Sequence, residues 1–146
     1  MLSRFGKQHF STVPADYVIA KEQRLILSVG EGVVTFEEIK VHQDRLLADP
    51  ERDRQFNQLI DMVAVQRLEL SIEEARLLSS VIILAPESRR AAVATEKCVY
   101  GMFRLMQAYY EAAPNHSHVG IFYTRDEALQ WLVLVAPEVC TARYKT

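Results

Sequence analysis

The stretch RAAVATEKCVYGMFRLMQAYYEAAPNHSHVGIFYTRDEALQWL, residues 90–132, decides the fold. Arg90–Thr95 is short and mostly small and apolar, and reads as a strand. Lys97–Ala112 follows with apolar residues at helical spacing and is closed by Pro114. Val119–Thr124 (VGIFYT) is dense in β-branched and aromatic residues and reads as another strand. Thr124 with Glu127 is a capping box, the hydroxyl accepting from a first-turn N–H while the carboxylate reaches back. It opens a helix that runs through Trp131 to about Val135. A strand, a crossover helix and a second strand form a βαβ unit, so the two strands are expected to run parallel.

The alternation extends toward the N-terminus. Ser71 with Glu74 is another capping box, opening a helix with Ile72, Ala75, Leu78 and Ile82 on one face and Pro86 at its end. Val81–Leu84 taken alone would also suit a short strand. Phe56–Val63 (FNQLIDMV) reads as a strand buried on both faces towards its end. Thr35 and Glu38 cap a helix with Phe36, Ile39, Leu46 and Leu47 at helical spacing, stopped at Asp49-Pro50. Before it, Tyr17–Ala20 and Leu25–Val29 flank the polar Lys21–Arg24 and read as an antiparallel hairpin, with Gly30-Glu31-Gly32 as its exit loop. That loop lacks the third Gly and the Lys-Ser/Thr of a phosphate cradle.

The order is ββαβαβαβα. It predicts a single α/β domain: a mixed, mostly parallel sheet of about five strands covered by four helices. The folded part is expected over 16–136, between a flexible arm at 1–15 and a tail at 137–146. The chain's 146 residues suit one core, and 49% apolar with 25% charged residues places it among globular proteins.

A net charge of -2 argues against nucleic acid as the main partner. No apolar run reaches the roughly 18 residues that span a bilayer, and MLSRFGKQHFSTVPADY has no apolar core of a secretory signal. Two cysteines, Cys98 and Cys140, are too few for a disulfide framework. The expectation is a cytoplasmic protein with reduced thiols, no cofactor and no metal. His116 and His118 lack a third ligand nearby in sequence and read as loop histidines. Cys98 falls in the first turn of a helix, where a thiol pKa is lowered, but no base or oxyanion site accompanies it. It reads as a small buried hydrophobe, and no catalytic residue is assigned.

The hairpin, Leu59-Ile60-Asp61, Arg90-Ala91-Ala92-Val93-Ala94, Tyr100-Gly101-Met102-Phe103-Arg104, Val119-Gly120-Ile121-Phe122 and Glu127-Ala128-Leu129-Gln130-Trp131-Leu132 together resemble the SpoIIAA-like family. That family is related in fold to STAS domains, which include anti-sigma factor antagonists. The resemblance covers roughly Tyr17 to Leu132 and implies a mixed sheet under helices and a binding or regulatory module. Phosphorylatable STAS antagonists carry an Asp-Ser-Ser/Thr-Gly-like motif after the third strand. Here Asp61 is followed by Met62-Val63-Ala64, with no hydroxyl, and the phosphosite is not carried over to Ser71.

Two features point to a binding surface. Asp61 is placed near the C-terminal end of a strand, where ligand crevices form in open α/β sheets; it would equally cap a loop or pair with an Arg. The Tyr100 helix is apolar over more than one stripe: Val99, Met102, Phe103, Leu105, Met106, Tyr109 and Tyr110 leave only Lys97, Arg104 and Glu111 as a polar ridge. Gly101, costly inside a helix, suggests close approach of another element. The cover would be an intrachain neighbour, a second subunit in a homodimer, or an apolar ligand. The leading expectation is a non-enzymatic domain acting through protein association, with a regulatory partner. The alternative is a carrier of a small apolar or lipid ligand in a groove like that of the CRAL-TRIO fold, an analogy of fold alone. Its lining would be Met102, Phe103, Met106 and Trp131, with Asp61, Tyr100 and Arg104 as further candidates for ligand or interface contact.

Overall fold

The computed structural model describes residues 14–133. β1 (Ala15–Ala20) turns through a single 3-10 turn at Lys21–Gln23, with Arg24 in the left-handed conformation at φ 54°, into β2 (Leu25–Thr35). There follow α1 (Phe36–Ala48), β3 (Asn57–Glu69), α2 (Ile72–Ser79), β4 (Arg89–Val93), α3 (Lys97–Ala112), β5 (His118–Phe122) and α4 (Arg125–Val133). The five strands lie in the order β1-β2-β3-β4-β5, with β1 antiparallel to β2 and every other pair parallel.

That order fixes where the helices go. A sheet whose parallel strands always step the same way, through right-handed crossovers, receives all its crossover helices on one face. α1, α2 and α3 share that face, and α4, which follows the last strand, covers the other. Strand alternation supplies a core to each. Leu25, Leu27, Leu59, Ala91 and Val93 meet Ala128 and Leu132 of α4. On the opposite face, Ile26 packs with Leu46, Phe56, Ile83 and Leu84. A further cluster there joins Val34, Met62, Val65, Ala94 and Val99, with Ile60 and Phe103 against it.

The capping boxes at Thr35–Glu38 and Ser71–Glu74 form in full. At α4, Glu127 N donates to the Thr124 hydroxyl at 3.2 Å, which itself donates to the Glu127 carboxylate at 3.0 Å.

Three expectations need correction. Gly30-Glu31-Gly32 is no exit loop. β2 continues through it, with register shifts between Val29 and Glu31 and between Gly32 and Val33 and with Gly32 at φ 65°. β3 likewise runs past Val63 to Glu69, and the two extensions pair as a ribbon beyond β4, Val34 opposite Leu68 and Thr35 opposite Glu69. The glycines and the polar Gln66-Arg67 hid these extensions, because a bulge breaks the period of two and the ribbon is wet on one side.

The Ser71 helix also ends early. Ala75 and Leu78 are buried, but Ile72 and Ile82 are 64% and 41% exposed and do not share a core face. The Ser79 hydroxyl donates back to Ala75 O and Ser80 to Leu77 O, offering the last turn an alternative to continued helix. Val81–Leu84 is neither helix nor strand, and Ile83 and Leu84 fill the core beside Ile26.

Finally, Ala15 belongs to β1 and not to an arm. Residues 1–13, the helix end near Val135, the 137–146 tail and Cys140 lie outside the described residues.

Candidate functional site

Polar residues gather where a core would be expected. Ser28 on β2, Gln58 on β3 and Arg90 on β4 share the sheet face beneath α1 and α3, and Gln58 sits beside Arg90 in the β3–β4 register. α1 brings His42 and Gln43 down onto them, both buried. Arg90 Nε donates to Gln58 Oε1 at 2.8 Å, Gln58 Nε2 donates to Ser28 Oγ at 2.9 Å, and Ser28 Oγ lies 2.9 Å from His42 Nε2.

The direction of this chain follows from its first member. A guanidinium only donates, so Gln58 must present its oxygen to Arg90 and its amide to Ser28. Ser28, already accepting, gives its one proton to His42 Nε2. His42 is therefore a neutral acceptor there, in agreement with a pKa lowered to about 4 by burial first and the Arg90 charge second.

Arg90 also lies over the Tyr110 ring, 5.2 Å from its centroid. Burial would raise the Tyr110 hydroxyl, but the Arg90 cation and the hydrogen bond with Ser117 outweigh it and set the pKa below the ordinary tyrosine value. Among the described residues no carboxylate is ion-paired with Arg90. Its positive charge faces two adjoining cavities. One of about 80 Å³ is lined by Ser28, His42, Gln58, Ile60 and Met62, the other of about 50 Å³ by Leu78, Ala92, Tyr110 and Val119. Gln43, Ile60, Arg90, Phe103 and Met106 wall both. A larger open recess of about 600 Å³, between the β1–β2 turn and the end of α4, runs out at Val133, the last described residue. Its polar lining, Glu22, Gln23, Arg24, Asn57, Asp126 and Gln130, forms no side-chain hydrogen bond among its members.

Of the residues proposed in sequence for ligand or interface contact, only Phe103 and Met106 reach these cavities. Trp131 lies on the α4 face, its ring 5.5 Å from Phe122 and under Arg89 at 4.8 Å. The groove expected from Met102, Phe103, Met106 and Trp131 therefore does not form, because the sheet stands between its parts. Asp61 takes its structural role: it is buried, holds Arg125 Nε at 2.6 Å and accepts from Val63 N at 3.1 Å. Tyr100 stacks on Tyr123 at 4.2 Å between ring centroids, Met102 is half-buried and Arg104 is exposed. Cys98 is exposed, contrary to the buried expectation, and a Cβ on Gly101 would meet open space, so no element of the described chain presses on it.

Part of the apolar excess of α3 has an intrachain explanation, and Met102, Leu105 and Tyr109 stay half-buried. The β2–β3 ribbon carries Val34, Met62, Val65 and Leu68 against Val99, Tyr100 and Phe103, while α2 packs against α3 from the side. None of the large apolar side chains left exposed, Val41, Ile72, Leu77, Ile82 and Tyr123, lies on α3.

Ser28, His42, Gln43, Gln58 and Arg90 were missed in sequence. The signal was there in the polar interruptions: Ser28 within LILSV, Gln58 within FNQLID, and His42-Gln43 between the helix anchors Ile39 and Leu46. The hydroxyl–imidazole pair is a hydrolase-like juxtaposition, but a base held near 4 is weak, and both groups are buried.

No protein-family model and no curated protein matches the chain. Among solved structures, that of an uncharacterized protein of the DUF3478 family with a SpoIIAA-like fold, from Shewanella loihica PV-4, is similar over 86% of this chain and 98% of that one, with a TM-score of 0.53 at 16% identity. The fold is SpoIIAA-like. The five-stranded mixed sheet with four helices read from the sequence is thus shown, and the resemblance stands at the level of architecture. Within this SpoIIAA-like fold, no helix of the described residues is long and apolar enough to cross a membrane.

Proposed function

We propose that the protein is a non-enzymatic binding module that holds a small ligand between α1, α3 and the sheet. One observation carries this: two adjoining cavities share apolar walls, Ile60, Phe103 and Met106, and a few convergent polar groups, Gln43 and Arg90. Ligand sites are built this way, with apolar lining for affinity and a few placed polar groups for orientation. The cavities are small, so the occupant is a compact molecule and not a full lipid chain. The β2–β3 ribbon takes up Val99, Tyr100 and Phe103 of the surface that motivated the association reading, while Met102, Leu105 and Tyr109 stay half-buried.

A fragment screen followed by amide chemical shifts tests the proposal. Small amphipathic fragments should shift amides around Phe103, Met106 and Gln43 more than those of Ala128–Leu132. Shifts confined to α4, or no shifts from any fragment, would overturn it. Met106→Trp, which fills the shared wall, should remove the response while the dispersed spectrum of a folded protein persists.

A further inference from the structure

We propose that the ligand of this cavity pair is a short-chain carboxylate whose head pairs with Arg90. The inference rests on the binding site proposed above and adds its chemistry. Arg90 is a half-buried cation with no carboxylate of the described chain against it, which is unusual, since a cation drawn out of water ordinarily takes a counter-ion. Its neighbours sharpen this. The relay through Gln58 and Ser28 ends on His42 as a neutral acceptor, so no group in that relay supplies negative charge.

The relay also fixes the guanidinium plane, by holding Nε at 2.8 Å from Gln58 on one edge with the Tyr110 ring against its face. The Tyr110 hydroxyl also engages the guanidinium, and the terminal N–H groups that remain suit the two oxygens of a carboxylate. The apolar Phe103, Met106 and Ile60 beside it suit a short alkyl tail. Cavities of about 80 and 50 Å³ hold only a few groups the size of water, about 30 Å³ each. The tail is therefore a few carbons long.

The test compares butyrate with 1-butanol, equal in chain length and differing in charge, by amide-shift titration of the full chain. Butyrate should shift amides near Arg90, Gln43 and Phe103 and bind at least tenfold more tightly than 1-butanol. Arg90→Met should weaken butyrate at least tenfold and leave 1-butanol unchanged. Arg90→Lys, which keeps the charge and loses the guanidinium, should fall between, and it serves if the methionine variant does not fold. Butanol binding as tightly as butyrate, or butyrate binding unchanged in both variants, overturns the carboxylate and leaves the cavity reading intact. Silence of both probes together with a silent fragment screen overturns both.

Discussion

The two faces of the sheet are built on opposite principles. Towards α4, Leu25, Leu27, Leu59, Ala91 and Val93 meet Ala128 and Leu132 in an apolar layer, with the Asp61–Arg125 pair as its polar element. Towards α1 and α3, the next residues along the same strands are Ser28, Gln58 and Arg90, and the layer is broken by a hydrogen-bonded relay and two cavities. A close-packed apolar face stabilises without specifying a ligand. A face that places a cation and spare volume in its middle gives up packing and leaves room for a ligand.

The largest effect should come from the dry face. Leu59→Ala, at a fully buried position on the central strand, should cost about 2–5 kcal/mol in urea unfolding. A cost under 1 kcal/mol would mean that the α4 layer is as loose as the other.

The wet face should answer to pH instead. His42 is held at about 4 against the ordinary 6.5, so between those values the unfolded chain binds a proton that the folded chain refuses. Its contribution is intact above pH 6.5, declines as pH falls, and is fully lost below about 4; the loss amounts to about 3 kcal/mol. His42→Gln should flatten that part of the stability profile relative to the parent. Parallel profiles would show that His42 titrates freely.

Steric tightness separates the faces further. A Cβ added at Gly120 would stand 2.8 Å from Phe122 Cε2 and 3.3 Å from Trp131 on the α4 side. Gly120→Ala should lose about 1–2 kcal/mol through overpacking, and near-UV circular dichroism should report the disturbed Trp131. Gly101→Ala, facing open space in α3, should instead gain up to about 1 kcal/mol from helix propensity. A loss there would point to a surface in contact with something outside this chain.

The smallest predicted loss concerns Asp61, buried on the central strand on the α4 side, with Arg125 half exposed above it. Arg125→Met leaves the carboxylate without its partner, yet water reaches the pair, so thermal unfolding should register about 1 kcal/mol. A loss above about 3 kcal/mol would place the pair in a drier setting than its exposure indicates.

The elements were largely legible because their signals are local. A hydroxyl three residues before a carboxylate caps a helix wherever it stands, and Thr35, Ser71 and Thr124 each did so. Strand cores were legible from short apolar runs. The β2–β3 ribbon was not, since Gly30-Glu31-Gly32 and Gln66-Arg67 are turn-like and polar taken alone and become strand only by pairing with each other. That one omission hid the ribbon that packs on Val99, Tyr100 and Phe103 of α3.

The sequence by itself determined the order of elements, their caps and a core on each strand, because these depend on neighbours three or four residues away. Tertiary structure decided the site. Ser28, His42, Gln58 and Arg90 are far apart in the chain, and no spacing relates them. The parallel register sets Gln58 beside Arg90, and the crossover lays α1 over both. It also decided that Trp131 stands away from Phe103 and Met106, because the last helix has no further strand to reach and closes the opposite face.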